Sequence, residues 1–324
     1  MAPTVSARFR KFRIPPGSLG VGGVWFGWSM ALVSTFAFSI APPIARAAIA
    51  TGIDPTVLLL TRLLLSTLLL GGSTAFMAPR RLLIDRRGLL ICALAGLSNG
   101  LGMFTFFWAL TRIDASIAAM IFSLSPLAVL GLLALRGEKF THRHTLRLAL
   151  GLGGVYFLIG VGNAPGNGID GLGVTLVLVT IITFAIHLAL IQWYLQGYEA
   201  QTVTLYVVII MTVVTSGLWF IQGSAWHDPG WLGWLAVGVL ALVSTYLARL
   251  TLFAAVRSLG SGQIALLLPF ETLLTVLWSV LFLHERLTFW QWLGGMLILI
   301  SALLAVNRLR WARWPPRWRI WSRL

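Results

Sequence analysis

Four side chains that titrate or carry a fixed charge lie deep inside long apolar stretches: Arg62, His187, Arg249 and Glu271. A charge at the centre of a hydrocarbon layer costs about 2.5–3.5 kcal/mol on insertion scales, so such a residue faces a partner or a wet cavity. Glu271 falls roughly 15 Å along its stretch at 1.5 Å per residue, near the middle. A carboxylate there can bind an amine or carry a proton, and the guanidinium of Arg249 can bind a carboxylate. Alternatively the two pair across a helical hairpin and do no more than fix it. An unperturbed imidazole titrates near about pH 6.5, so His187 can carry a proton or serve as a hydrogen-bonded packing residue. Arg62 lies near the outer end of its stretch, where its stem can snorkel or its head can shape an outer mouth.

Aromatic residues form the second group: Trp28, Phe36, Phe104, Phe107, Trp108, Phe122, Phe184, Trp193, Tyr246, Phe253 and Phe270. Large π faces suit an apolar or aromatic ligand, although any one of them serves equally well in packing or against lipid. Polar residues on the same stretches, Ser39, Asn99, Ser123, Ser125, Gln192 and Ser244, can orient a ligand's polar backbone or join helices by hydrogen bonds.

The elements that must position these groups follow from composition. Of 324 residues, 58% are hydrophobic and only 10% charged, against roughly a quarter charged in water-soluble domains. Lipid is therefore the main solvent. Spans of about 20 apolar residues cross the hydrocarbon as helices, and ten are expected: 24–45, 56–76, 88–110, 113–135, 146–161, 171–195, 203–221, 231–255, 262–283 and 289–306. A β-barrel would show alternating segments of about 10 residues, and the continuous runs exclude it. The fold class is an all-α membrane protein.

The net charge of +15 raises nucleic-acid binding, but its distribution assigns it to topology. Basic clusters at Arg8–Arg13, Arg80–Arg87, Arg136–Arg147 and Arg308–Arg323 fall on one side of a ten-span chain, and the other side holds Arg46, Arg112 and Arg286. Basic loops stay cytoplasmic, so both termini are expected inside, with anionic lipid headgroups as partners and no nucleic acid. The N-terminal apolar run is too long for a signal-peptide core of about 7–15 residues. The tail alternates arginine with tryptophan, as an interfacial anchor does. Cys92 is the single cysteine, so no intramolecular disulfide forms.

The second five spans echo the first five. Residues 1–23 are a cytoplasmic segment, 24–162 a first repeat, 163–170 an outer linker, 171–306 a second repeat and 307–324 a cytoplasmic tail. Because five is odd, the halves enter the membrane in opposite senses, and an inverted repeat places a ligand near the midplane between them. Glycines such as Gly96, Gly100, Gly102, Gly151, Gly153 and Gly154 let helices approach closely.

Two turns carry a family resemblance. Glu138-Lys-Phe-Thr141 and Glu285-Arg-Leu-Thr288 occupy the same place in each half, Ser125-Pro126 lies in span four, and Arg62 lies early in span two. In these features the chain, from about 26 to 306, resembles the EamA-type drug/metabolite transporter superfamily, most nearly its YddG-type amino-acid exporters. It departs from the usual Glu-Pro pair in span nine: Glu271 is followed by Thr272, and Pro269 lies two positions before it. The resemblance implies that spans one, three, four, six, eight and nine line the substrate path and that five and ten lie outside it. The expected substrate-binding residues are Trp28, Ser39, Asn99, Phe104, Trp108, Ser123, His187, Gln192, Tyr246, Arg249, Phe270 and Glu271, with Arg62 at the outer mouth.

Metal-ligand clusters, Walker-type Gly-Lys-Ser and Gly-x-Ser-x-Gly are missing from the sequence, and its aspartates lie at span ends or in loops. Neither enzyme activity, cofactor nor metal is expected. The expected function is a monomeric secondary transporter that exports small metabolites, amino acids foremost, across the bacterial inner membrane. The alternatives are export of drugs or purines or, in a different class, a lipid-modifying enzyme or a receptor. The topology is open to test. In a Cys92→Ala background, cysteine placed at Asn167 should react with an impermeant reagent added outside, and cysteine at Thr141 should not; the reverse pattern refutes the orientation.

Overall fold

A computed structural model describes residues 21–77, 79, 83–134, 142–160, 170–195, 198–223, 228–259 and 267–309. Its elements are helical: α1 (Val21–Ser39), α2 (Ala41–Ala50), α3 (Pro55–Met77), α4 (Arg86–Ala109), α5 (Ala115–Phe122), α6 (Ser125–Ala134), α7 (His142–Gly160), α8 (Gly171–Tyr194), α9 (Ala200–Gln222), α10 (Gly230–Ala241), α11 (Ala248–Leu259), α12 (Leu268–Phe282) and α13 (Phe289–Leu309), with a π-helical turn at Leu242–Leu247. The N-terminal basic residues, Arg80 and Arg81, the turn at 135–141, most of the linker and the Arg/Trp tail lie outside the described residues.

Among the described residues six helices are long and apolar enough to cross a membrane: Trp25–Ala50, Pro55–Phe76, Arg86–Ala109, Gly171–Ile191, Ala200–Gln222 and Gly230–Leu252. Shorter apolar helices, Ala115–Val129, Ala149–Leu158, Leu268–Phe282 and Phe289–Leu304, occupy the other expected spans. Large apolar side chains point outward, Leu68 at 71% exposure and Phe282 at 72% among them. A surface of that kind suits hydrocarbon rather than water.

Spans one, four, eight and nine depart from the continuous helices expected. α1 stops at Ser39, and α2 opens with Pro42 and Pro43 in its first turn. Proline lacks the N–H that would bond four residues back, and its ring clashes with that carbonyl. Span four breaks at Ser123 and Leu124, and α6 resumes at Ser125-Pro126. In span nine the described helix begins at Leu268 with Pro269 at its first turn, so the displaced proline still marks a helix start and Glu271 sits in that turn. Span eight carries the π-helical turn between α10 and α11.

Elements on the two sides of the central linker pack against each other: α1 on α11, α3 and α4 on α9, α4 on α8, α5 on α12, and α7 on α13. One apolar core joins them, with Leu59 and Leu63 of α3, Met120 and Ile121 of α5, Val208 and Met211 of α9, and Ile298 of α13 all buried. Glycine makes the closest approaches possible. A Cβ on Gly154 would lie 2.7 Å from the carbonyl oxygen of Gly294, and one on Gly96 2.6 Å from Ile210. The packing role expected for Gly96, Gly100, Gly102, Gly151 and Gly154 holds, since each abuts a neighbouring helix, whereas Gly153 has open space around it.

Helix caps fix the ends outside the apolar layer. Asp85 caps α4 through Gly88 N at 3.2 Å and accepts a 2.6 Å bond from the Tyr198 hydroxyl, which holds its carboxyl below the usual range. Asp170 caps α8 through Leu172 N at 2.8 Å and pairs with Arg112 at 2.9 Å, with the same direction of shift.

The glycine contacts yield a paired test. Gly294→Ala puts a methyl group against backbone atoms of α7 and should cost about 1–3 kcal/mol, the usual penalty for overpacking. Gly153→Ala meets nothing within 4 Å and gains helix propensity, so its melting temperature in detergent should hold or rise while that of Gly294→Ala falls.

Candidate functional site

Arg62, expected at the outer mouth, is buried. It is 5% exposed, its Nε donates to Thr245 Oγ1 at 3.0 Å, and its guanidinium carbon lies 5.8 Å from the Phe107 ring centroid. Thr245 belongs to the π-helical turn and donates to the carbonyl of Leu240, five residues back, at 3.0 Å. Such turns widen a helix by one residue and recur at functional sites. Arg249 begins the regular helix just beyond, beside the Ala248 carbonyl that accepts from Ser34 Oγ on α1 at 3.0 Å.

The expected pairing of Arg249 with Glu271 is not made: neither side chain forms an ion pair or side-chain hydrogen bond with any described residue. Arg249 lies instead four residues beyond Thr245, the hydroxyl that Arg62 bonds. Among the described residues α11 and α12 both pack on α1, and they make little contact with each other.

His187 is buried, and its Nδ1 is 2.9 Å from the Ala95 carbonyl oxygen. A carbonyl only accepts, so Nδ1 carries the proton and Nε2 remains an acceptor in the neutral ring. Beside it runs an aromatic wall: Phe184 is 6.1 Å from His187 between centroids, Phe122 is 5.2 Å from Phe184, and Phe106 is 5.8 Å from Phe122. Phe104 and Trp108 form another tilted pair at 6.2 Å.

The polar side chains divide between roles. Pro43 has no N–H to offer the Ser39 carbonyl, which accepts instead from Thr275 Oγ1 on α12 at 3.0 Å. Ser39 Oγ accepts from Trp278 Nε1 at 3.0 Å and donates to Phe36 O at 2.9 Å. Ser39 is thus committed to closing the break in span one. Asn99 Nδ2 lies 3.2 Å from Met211 Sδ, Ser123 Oγ donates to Met120 O at 2.6 Å, and Trp108 Nε1 donates to Thr56 Oγ1 at 3.1 Å. These bonds tie helices or helix ends together. Ser244 Oγ is buried and unpartnered. Trp28 and Tyr246 are half-buried, Ser125 is buried, and Phe270 is exposed and edge-on to Phe36 at 6.5 Å. The side chains of Gln192 and Phe253 lie outside the described residues.

The sequence reading missed three contributors. Thr245 carries no pattern of its own, and the π-turn that aims it leaves no trace in hydropathy. Trp278 and Thr275 gain their roles only because α12 packs on α1. Glu285 was visible as half of a repeated turn, but its role lies across the fold: one oxygen accepts from Ala115 N at 2.9 Å, the other from Ser116 N at 3.1 Å and from the Ser116 hydroxyl. It caps α5, whose own N-cap residue, Asp114, makes no side-chain bond to the helix. Asp114 instead faces Arg46 at 3.8 Å, and Arg46 donates to the Leu110 carbonyl. Among the described residues no three His, Cys, Asp or Glu converge as a metal site would require.

Helices of spanning length with outward apolar surfaces, and charged groups held between them, define a multi-pass helical membrane protein. The EamA-like transporter family matches residues 25–160 and again 171–307, so the chain belongs to that family and is a membrane transporter of small molecules. No curated protein matches. A solved protein crystal structure superposes with a TM-score of 0.59 over 89% of this chain and 98% of its own, at 17% identity, and so shares the fold.

The cap offers a test. Glu285→Gln leaves one acceptor oxygen for donors that now have two, and charge-assisted caps are the stronger kind. The variant should lose about 1–2 kcal/mol in detergent unfolding. Asp114→Asn, at a residue with no cap bond, should lose less.

Proposed function

We propose that this protein is a secondary transporter exporting small metabolites, amino acids foremost, across the bacterial inner membrane, by alternating access between two inverted five-helix repeats with both termini cytoplasmic. The packing supports the repeat. Exchanging corresponding helices of the halves carries the α4–α9 contact onto α10–α3 and the α6–α8 contact onto α12–α1. The family's two matched segments divide the chain at the same place.

One observation carries the substrate reading: Glu271 is a carboxylate in the first turn of a broken apolar helix, half-buried, with no side-chain partner among the described residues. An unneutralised charge there marks a place where a cation arrives. Arg249, likewise without a partner, offers the complementary charge. A molecule with an ammonium and a carboxylate answers both, and the aromatic wall suits an apolar side chain.

The test is counterflow in proteoliposomes against amino acids, purines and lipophilic cations. Glu271→Gln should reduce amino-acid flux tenfold or more, equivalent to about 1.4 kcal/mol. Its melting temperature should hold, because no partner is left unpaired. Unchanged flux in that variant overturns the role of Glu271. Counterflow with purines or lipophilic cations alone overturns the amino-acid reading.

A further inference from the structure

We propose that Arg62 and Arg249 together form an anion subsite that grips the carboxylate of the substrate, so that a negative charge on the ligand is required for binding. The proposal deepens the transporter reading but does not depend on amino acids being the cargo.

Arg62 on α3 bonds Thr245 of the π-turn, four residues before Arg249 on α11, and neither guanidinium makes an ion pair with a described carboxylate. Like charges at close quarters in an apolar interior require a counter-ion. Glu271, the membrane carboxylate that could supply it, is not paired with either. Arg62 is held in place on two sides: Thr245 occupies its Nε, and its guanidinium carbon lies over the ring of Phe107. Its terminal nitrogens make no hydrogen bond to a described residue, which leaves the bidentate edge of the fork free.

Arg249 makes no hydrogen bond to a described residue, and its Nε is buried without a partner among them. A buried charged donor left unmade is costly, so the site awaits an acceptor. Ser244 Oγ, in the same π-turn as Thr245, is a further buried hydroxyl without a partner. A carboxylate between the arginines would neutralise both charges at once and accept the donors that now lack acceptors. The π-turn serves this arrangement directly, since it supplies the threonine that orients Arg62 and is followed at once by the helix that carries Arg249.

The experiment uses the purified full-length protein in detergent with three probes: L-phenylalanine, L-phenylalaninamide and 3-phenylpropanoate. Affinities are read from ligand-dependent melting temperatures. The expected result is that both acids bind and the amide binds at least tenfold more weakly. Arg249→Gln and Arg62→Gln should each weaken the acids tenfold or more and leave the amide unchanged, and Arg62→Lys, which keeps charge but loses the fork, should fall between. If a variant does not fold, the acid-against-amide comparison on the native protein decides alone. Equal binding of acid and amide overturns the subsite and leaves the amino-acid reading standing. Binding of 3-phenylpropanoate without phenylalanine supports the subsite and removes the amino-acid reading. Failure of both acids to bind, or unchanged acid affinity in both glutamine variants, overturns the subsite.

Discussion

Inside hydrocarbon no water is available to satisfy a backbone carbonyl or a side-chain charge, and the whole structure is arranged around that constraint. A helix that runs unbroken meets it for itself. Where this chain stops or restarts a helix it leaves orphan groups, and two sets of them are met by residues from far along the sequence. The Ser39 carbonyl, freed by Pro43, is met by Thr275. The first N–H groups of α5 are met by Glu285. The interruptions therefore weld the two halves together. Breaks that would weaken an isolated helix become the points at which one half holds the other, and the cost of each break is offset by a specific long-range bond of about 0.5–1.5 kcal/mol.

Against that background the unmet groups stand out. Glu271 and Arg249 lie among helices whose other polar groups mostly have partners, and neither side chain has one among the described residues. A chain that recruits residues more than 150 positions away to satisfy a carbonyl has not done so for these two charges. The glycine-mediated contact of α7 with α13 belongs to the opposite category. With backbone against backbone at Gly154 and Gly294, there is no side chain to re-pack, and the pair makes a firm unit beside the charged interior.

Much of this was legible in the residues. Apolar helices of spanning length and the division into two halves follow from apolar run lengths and from motifs repeated at the same position. The helix breaks at Pro42, Pro43, Pro126 and Pro269 were not read from the sequence as breaks, although a missing N–H is a local property. The deeply placed charged residues were found because charge in an apolar run is conspicuous. What was not legible is which of them meet. Arg249 and Glu271 looked like a pair because their spans are consecutive, whereas Arg62 and Thr245, 183 residues apart, are the two that bond. Partnership depends on which faces helix packing brings together. Hydropathy periodicity is nearly silent on that point when a helix is apolar all round.

The π-helical turn at Leu242–Leu247 carries one more consequence. One residue of α-helix is about 100° of rotation, since 3.6 residues complete a turn. A turn that absorbs one extra residue leaves everything beyond it out of phase with everything before. The helix that carries Arg249 therefore presents a face that the register of α10 alone would not foretell. This region behaves as a phase shifter: the chain can change which side chain looks inward by gaining or losing a single residue, without altering the length or greasiness of the span.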